Sequence, residues 1–398
     1  MIEVQEALDL VYQHRVDLGS ERIPLSRALH RVLKEDWHSD RDLPPYNRVT
    51  MDGIAIAHAA WEGGQRRFPI VGVAAAGMSQ RILEDPSTCL EAMTGAMLPR
   101  DSDTVIRYED LHIEEGYATV QADWVNFRQN VHFQGMDRAA GSLIVKANTR
   151  ISAAEIGVGA SIGKHQVEVA RLPRTIVIST GNELVEIDQS PLLHQIRRSN
   201  VYRLMTSLQA YQIQADMDHL QDEPEQIREK LRGYLDRYDV IILSGGVSKG
   251  KYDYLPRILA ELQVEKLFHR IKQRPGKPFW FGRLGNSCTI FALPGNPVSS
   301  FLCMQRYFRP WLEWSQGGAL SPVPSAVLQE EVYFKPDLTY FLEVSTSYDE
   351  RGRILAQPQR GNGSGDLANL VDADAFIELP RGREVYAAGE VFPIYYYR

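Results

Sequence analysis

Three short segments that contain glycine follow runs of apolar residues, and their composition suits the binding of an anion. They are 180–183 (TGNE), 244–248 (SGGVS) and 294–297 (PGNP). Glycine turns between a strand and a helix expose backbone N–H groups, and the dipole of the following helix favours negative charge. We therefore predict an oxyanion site, with these candidate residues: Gly245, Gly246, Ser248, Gly295 and Asn296.

Residues 245–251 (GGVSKGK) also match the first seven positions of the P-loop of nucleotide hydrolases. The eighth position is Tyr252, where a P-loop has a serine or threonine hydroxyl that holds magnesium. This mismatch removes the metal-binding part of the motif. A P-loop nucleotide hydrolase is therefore the weakest alternative that the sequence leaves open.

Charged residues also lie beside turns. Lys277 lies between two prolines in Arg274-Pro-Gly-Lys-Pro, a turn that holds the direction of its side chain. The candidate acids, each beside a glycine turn, are Asp52, Asp137, Glu183 and Asp253. Magnesium takes one or two carboxylates plus water and substrate phosphates, so acids from separate loops could hold it, although each alone is commonly a turn residue. No histidine spacing typical of a metal site and no nucleophile elbow occur, which argues against a zinc enzyme and a covalent hydrolase.

The glycine segments predict the elements that position them. The preceding runs (TIVIS, VIIL and TIFAL) are almost entirely apolar, which is typical of strands buried on both faces of a parallel sheet. Helical patterns lie between and after them, at 200–211, 224–236, 254–262 and 298–312. Alternating strands and helices indicate a doubly wound α/β domain, in which ligands bind at the carboxyl ends of the strands.

The rest of the chain has a different pattern. Short β-like runs separated by turns fill residues 68–145 and 327–398, so we predict a β-rich module before the α/β domain and a small β domain after it. Two helices are expected near the amino terminus, at 2–15 and 25–35. A chain of 398 residues has room for about two to four domains. We predict a multidomain fold of the α/β plus β type.

The composition excludes several classes of protein. The 51 acidic and 44 basic residues give a net charge of -7, which argues against a general nucleic-acid binder but permits a local basic pocket. The three cysteines form no C-x-x-C pair, so we expect no disulfide framework and no cysteine zinc site. The amino terminus is unlike a signal peptide, and no apolar run approaches the roughly 18 residues of a membrane span. We expect a soluble, cytoplasmic protein with no nucleic-acid or membrane partner.

Six motifs occur in an order that resembles one enzyme family. They are 51–53 (MDG), 93–96 (MTGA), 180–184 (TGNEL), 244–248 (SGGVS) with Asp253-Tyr254, 275–278 (PGKP) and 293–299 (LPGNPVS). Over nearly the whole chain the set is similar to the molybdopterin molybdenumtransferases, the MoeA and gephyrin E-domain family. This resemblance implies insertion of molybdate into adenylated molybdopterin, release of AMP and a requirement for magnesium. It also implies a homodimer, with a cleft between the α/β and C-terminal domains of one subunit and the β-rich domain of its partner.

The resemblance also implies roles for single residues and a division into domains. The catalytic residues would be Asp52, Thr94, Asp137, Glu183 and Asp253, and Glu183 and Asp253 would bind magnesium. The substrate-binding residues would be Gly245, Gly246, Ser248, Arg274, Lys277, Gly295, Asn296, Ser299 and Ser364. The implied domains are a discontinuous N-terminal domain (1–43 and 141–172), a β-rich domain (44–140), a doubly wound molybdopterin-binding domain (173–318) and a C-terminal β domain (319–398).

The sequence departs from the family pattern at a few positions. Asn182 stands where the family usually has aspartate, and Arg274 where lysine is frequent. The arginine expected before the Gly363-Ser364-Gly365 motif aligns with Glu343, whose carboxylate would repel molybdate unless another base such as Arg360 substitutes. The sequence thus leaves open a second alternative, a non-catalytic or altered paralogue that acts as a molybdopterin carrier or scaffold.

Overall fold

The computed structural model of the protein describes residues 1–247, 254–318 and 322–398. The chain forms two compact units, the first from residues 1–34, 148–152 and 167–398 and the second from 35–147 and 153–166. The finer division into four domains stays a prediction. Two of the predicted site residues, Ser248 and Asp253, lie outside the described residues.

A six-stranded mixed sheet forms the centre of the first unit. Its strands are β1 (Thr175–Thr180), β2 (Asp216–Leu220), β3 (Val240–Ser244), β4 (Glu265–His269), β5 (Trp280–Leu284) and β6 (Cys288–Leu293). Their order is β2-β1-β3-β6-β5-β4; the first four are parallel, and β5 and β4 run antiparallel to their neighbours. The chain moves from β1 to one side for β2 and to the other side for β3. This reversal is a topological switch point, where a crevice opens at the carboxyl ends of β1 and β3.

Helices cover both faces of this sheet, which confirms the predicted doubly wound fold. They are α1 (Ser199–Gln209), α2 (Pro224–Arg237), α3 (Leu255–Glu261), α4 (Pro297–Cys303) and α5 (Arg309–Ser315). Val177 packs in one core with α1, α4 and α5, whereas the adjacent Ile178 packs in a second core with α2 and α3. Successive residues of a strand point to opposite faces, so Val177 and Ile178 each enter a core and must each be apolar. The strand is therefore a continuous apolar run in the sequence.

Two predicted helices are wrong in detail. The helix predicted at 298–312 is interrupted by a π-helical turn at Met304–Phe308, between α4 and α5. The helix predicted at 25–35 is only a 3₁₀ turn at Leu25–Arg27, after which Val32 and Leu33 form bridges with Arg150 and Val169. Tertiary pairing therefore overrides the local helical pattern there. The helix predicted at 2–15 is confirmed as Val4–Gln13.

The carboxyl-terminal part of the first unit is a closed β-barrel. Five strands pair in a ring: Ser325–Leu328, Thr339–Tyr348, Ile354–Pro358, Ala375–Leu379 and Val391–Tyr396. Leu328, Val344 and Ile377 belong to its core. The short strand Gln273–Arg274 pairs with Thr339 and Tyr340, so the turn that carries Lys277 is hydrogen-bonded to this barrel. The other barrel elements are the Val332–Tyr333 and Val385–Tyr386 ribbon and the helix Asn369–Asp372.

The second unit contains the predicted β-rich module. Its six-stranded sheet has the order Thr104–Arg107, Gly53–Ile56, Cys89–Ala92, Arg67–Ala74, Tyr117–Val120 and Leu111–Glu114. Two ribbons (Trp37–His38 with Leu143–Val145, and Arg48–Val49 with Val131–His132) and the helices His58–Glu62 and Ala153–Ser161 complete the unit. A methyl group on Gly53 would overlap the carbonyl oxygen of Ile106, which explains the glycine in this central strand.

The remaining short elements are Ser20–Pro24, Tyr108–Asp110, Gln166–Ala170, Leu184–Val185 and Ile196–Arg197. Across the described ranges, no helix is both long enough and apolar enough to cross a membrane.

Candidate functional site

A cleft of about 770 Å³ opens at the carboxyl ends of β1, β3 and β6. Its walls come from the three glycine segments, the first turn of α1, the turn at 273–278 and two barrel residues, Ser364 and Gly365. Within the described part of the chain, the charged residues that line these walls are Arg197, Arg198, Arg274, Lys277, Glu183 and Asp222. Basic groups outnumber acidic ones in this set, so the cleft suits an anion despite the negative net charge of the chain.

Positive φ angles and close neighbours explain the two glycines after β3. Gly245 has φ +106° and Gly246 has φ +72°, a region that side chains disfavour. A methyl group on Gly245 would lie 2.7 Å from Thr180 Oγ1, and one on Gly246 would lie 2.6 Å from Leu255 Cδ1. A methyl group on Gly295 would in turn contact the Gly245 backbone at 3.6 Å. The three segments therefore meet at the carboxyl ends of the strands, as the sequence predicted.

Asn200, in the first turn of α1, connects two of these segments. Its Nδ2 atom donates hydrogen bonds to Ser244 Oγ at 3.1 Å and to the Gly295 carbonyl oxygen at 2.6 Å. The sequence analysis missed this residue. The available signal was a polar residue at the start of the helix that follows the β1 loop.

The turn that carries Lys277 is held by buried partners. Ser299 Oγ accepts a hydrogen bond from the Gly276 N–H at 3.2 Å, and Gln273 Nε2 donates to the Pro275 carbonyl at 3.0 Å. The buried Tyr307 hydroxyl donates a hydrogen bond to Gln273 Oε1. Lys277 itself is exposed in the cleft, and no hydrogen bond or ion pair of its ammonium group is found among the described residues. The buried contacts of the turn therefore hold the backbone that presents this ammonium group. Gln273 is a second supporting residue that the sequence analysis missed.

The barrel contributes Ser364 to the same cleft. Asn296 Nδ2 donates to Ser364 Oγ at 2.6 Å, and the Val298 N–H donates to the Ser364 carbonyl at 3.1 Å. Arg274 also contacts the barrel, with its guanidinium carbon 5.9 Å from the ring centre of Phe334. The predicted residues Arg274, Asn296 and Ser364 are therefore brought together.

Two carboxylates line the cleft near the β1 loop. The side chain of Glu183 folds back over Gly181, where an added methyl group would overlap its carboxylate. Asp222, which the sequence analysis missed, lies beside it in the wall, and its N–H donates to Asn182 Oδ1 at 3.0 Å. Within residues 1–247, 254–318 and 322–398, no group of three or more histidines, cysteines or acids could hold a metal on its own.

The cleft is also lined by a buried cation, Arg198. Arg198 is 6% exposed and forms an ion pair with Glu186 at 2.8 Å. Burial and the charge of Arg198 lower the pKa of His219, whose Nδ1 atom is 3.0 Å from Ser179 Oγ. His219 is thereby favoured as the neutral imidazole.

Three predicted catalytic residues belong to the second unit. Asp52 Oδ1 accepts a hydrogen bond from the Thr94 N–H at 2.6 Å, and this bond, together with one from the Thr94 hydroxyl, lowers the pKa of Asp52. Asp137 is 57% exposed and pairs with His132 at 2.9 Å. The structure thus brings Asp52 and Thr94 together and gives Asp137 a different partner.

Glu343 does not lie where its carboxylate could repel molybdate in the cleft, contrary to the expectation from the sequence. It lies in the barrel strand Thr339–Tyr348, is 8% exposed and is absent from the described walls of the cleft. Burial raises the pKa of its carboxyl group, which favours the neutral form. Arg360 donates instead to the Glu331 carbonyl at 3.0 Å. The feature that suggested a non-catalytic paralogue is therefore not a charge in the cleft.

Comparison with known families covers almost the whole chain. Residues 2–163 match the MoeA N-terminal region (domain I and II), residues 176–314 a probable molybdopterin binding domain, and residues 325–397 the MoeA C-terminal region (domain IV). The chain belongs to the MoeA family. The resemblance inferred from the six motifs is thereby confirmed.

Individual MoeA relatives align over their full length. A molybdopterin molybdenumtransferase from Synechocystis sp. is 40% identical over 403 residues, which cover 99% of this chain and 100% of the relative. The Bacillus subtilis relative of the same name is 28% identical over 407 residues, covering 99% and 93%. The solved structure of a molybdopterin biosynthesis MoeA protein from Pyrococcus horikosii superimposes with a TM-score of 0.83 at 27% identity, covering 100% and 99%.

The support beneath Lys277 can be tested by replacing Ser299 with alanine. The Gly276 N–H would lose its buried acceptor, so Ser299→Ala should lower the free energy of unfolding by about 1–3 kcal/mol in urea denaturation. Ser287→Ala, at an exposed turn, is the matched control. An equal effect of the two substitutions would contradict the proposed support.

The burial of Glu343 predicts a pH-dependent effect of Glu343→Gln. A raised pKa in the folded state gives a stabilisation that is full below the ordinary value of 4.5 and is lost as the pH rises through the folded pKa. The neutral glutamine avoids that loss. The stability of Glu343→Gln relative to wild type should therefore increase between pH 5 and pH 7.5, as measured by thermal unfolding at both values.

Exposed Glu350, in the turn after the same strand, is the control. Glu350→Gln should show no such increase. A Glu343→Gln protein whose relative stability stays constant with pH would refute the assignment of a buried, proton-favouring carboxyl group.

Proposed function

We propose that this MoeA-family protein inserts molybdate into adenylated molybdopterin, releasing AMP and forming molybdenum cofactor. The observation that carries the proposal is the cleft, in which Lys277, Ser364 and the glycine segments gather at the switch point of the molybdopterin-binding domain. Full-length similarity to relatives named molybdopterin molybdenumtransferase supports it. The buried position of Glu343 gives no support to a non-catalytic carrier.

In this proposal, the residues of the cleft act mainly by positioning and electrostatics. The ammonium of Lys277 and the N–H groups of the glycine segments hold the oxygens of the pyrophosphate linkage and of molybdate. Glu183 accepts a hydrogen bond from the water that attacks the phosphoanhydride. Asp52 is suited to accept hydrogen bonds, because the low pKa given by Thr94 keeps its carboxylate ionised.

We propose magnesium as the metal of this site. Glu183 and Asp222 supply oxygen donors in the cleft wall, and a magnesium ion needs only one or two carboxylates when water and substrate phosphates complete its shell. Asp253, the other predicted ligand, lies outside the described residues. When bound, the ion would neutralise charge on the phosphate oxygens.

We also propose a cytoplasmic homodimer whose only ligands in this reaction are small molecules. In this dimer, Asp52, Thr94 and Asp137 of one subunit would face the cleft of its partner, as the family resemblance implies. This arrangement would give these three residues of the second unit a role in the reaction.

The activity can be tested with purified protein, adenylated molybdopterin, molybdate and magnesium. We expect stoichiometric AMP and a cofactor that activates a molybdenum-dependent apoenzyme. Lys277→Ala should lower kcat/KM by at least about tenfold, because a charge-assisted contact to the oxyanion is lost. Lys266→Ala, an exposed site on β4, is the control. Absence of AMP release by wild-type protein that binds the substrate would disprove the proposal.

The shared cleft predicts complementation between subunits. Sedimentation should give twice the 45.1 kDa of the chain. After Asp52→Asn and Lys277→Ala proteins are mixed and allowed to exchange subunits, activity should recover to about a quarter of wild type, because half of the dimers then contain one intact site of two. A mixture no more active than its components would argue against a shared site.

A further inference from the structure

Arg203, on α1, is a charged residue behind the cleft that the proposed reaction does not yet use. Its Nη2 atom donates hydrogen bonds to Asn200 Oδ1 at 3.0 Å, the Pro297 carbonyl at 2.7 Å and Ser300 Oγ at 3.0 Å. Its Nε and Nη1 atoms are buried and have no partner among the described residues. One nitrogen therefore serves three acceptors while the other two are left unsatisfied.

No acid among the described residues balances the charge of Arg203. All three acceptors are neutral, and none of the ion pairs between described residues includes this guanidinium. Burial lowers the pKa of Arg203 to about 10, so the group stays charged near neutral pH. The Phe301 ring lies 5.0 Å from the guanidinium carbon and gives only partial compensation. A partly buried cation in these surroundings costs free energy that a nearby anion would offset.

The acceptors of Arg203 belong to the elements that shape the cleft. Asn200 bonds Ser244 and Gly295, which lie in the segments after β3 and β6. Pro297 and Ser300 lie in the first turn of α4, directly after that second segment. Arg203 is not itself part of the cleft wall, whereas Asn200 is. Arg203 therefore acts on a ligand through the residues that it holds and through its charge, without touching the ligand.

We propose that Arg203 is a positioning residue for the anionic part of the substrate. It fixes the amide of Asn200 and the 294–297 segment in the arrangement that binds oxyanions, and its charge is balanced when phosphate oxygens occupy the cleft. This inference rests on the proposed function, since the anion concerned is the pyrophosphate linkage of adenylated molybdopterin.

The test compares Arg203→Met, Arg203→Lys and the control Arg232→Met, which removes an exposed arginine from α2. The probe is inorganic pyrophosphate, followed by calorimetry and by the rise in Tm that it produces. Arg203→Met should raise the Kd for pyrophosphate by at least about tenfold and reduce the rise in Tm, with an increased KM for adenylated molybdopterin. Arg203→Lys keeps the charge but loses the planar guanidinium, so its Kd for pyrophosphate should lie between those of wild type and Arg203→Met.

A purely structural role predicts a different pattern. Arg203→Met would then lower the Tm of the free protein and leave the pyrophosphate-induced rise unchanged, which would overturn the inference. Equal Kd values for Arg203→Met and Arg232→Met, or wild-type protein that does not bind pyrophosphate, would overturn it too. If Arg203→Met does not fold, Arg203→Lys decides alone, and a wild-type Kd for that variant rejects the proposal.

The outcomes separate this inference from the proposed function. Wild-type protein that binds pyrophosphate through Arg203 but releases no AMP from adenylated molybdopterin would disprove the function and leave the role of Arg203 intact. An Arg203→Met protein that releases AMP with the wild-type KM would disprove the role of Arg203 and leave the proposed function intact.

Discussion

The site depends on one topological constraint, the opposite directions in which the chain leaves β1 and β3. Neighbouring loops diverge there, and the carboxyl ends of parallel strands leave room for a ligand between them. The strands can lie together because the sheet is buried on both faces, with Val177 and Ile178 facing separate cores. The same apolar packing that stabilises the domain therefore opens a polar cleft at its edge.

Within that cleft, close backbone contacts restrict residue choice more than hydrogen bonding alone would. The contact of Gly245 with Thr180 leaves no space for a side chain, and Gly295 packs against Gly245 at ordinary van der Waals distance. The hydrogen bonds of Asn200 then join two of the segments, and Ser299 fixes the turn of Lys277. Conformational entropy is thus lost on folding rather than on binding, which favours a preorganised oxyanion site.

The parts predictable from the sequence were those encoded by local pattern. Continuous apolar runs that end in glycine predicted the strands and the cleft edge, and the order of six motifs predicted the family. Gln273 and Asp222 were missed because their roles arise from contacts with residues distant in sequence or from the position of a neighbouring strand. The predicted helix at 25–35 failed for the same reason, since Val32 and Leu33 pair with residues more than a hundred positions away. The effect of Glu343 was misjudged because the sequence does not show that its side chain is buried.

The local charge of the cleft is opposite in sign to the net charge of the chain. A chain with a net charge of -7 has a cleft in which basic residues predominate, and behind it lies Arg203, which pairs with no acid among the described residues. Each buried cation there costs free energy of folding, so stability alone would not select it. A ligand that carries several phosphate charges would recover part of that cost on binding. The arrangement is therefore better explained by an anionic substrate than by the requirements of the fold.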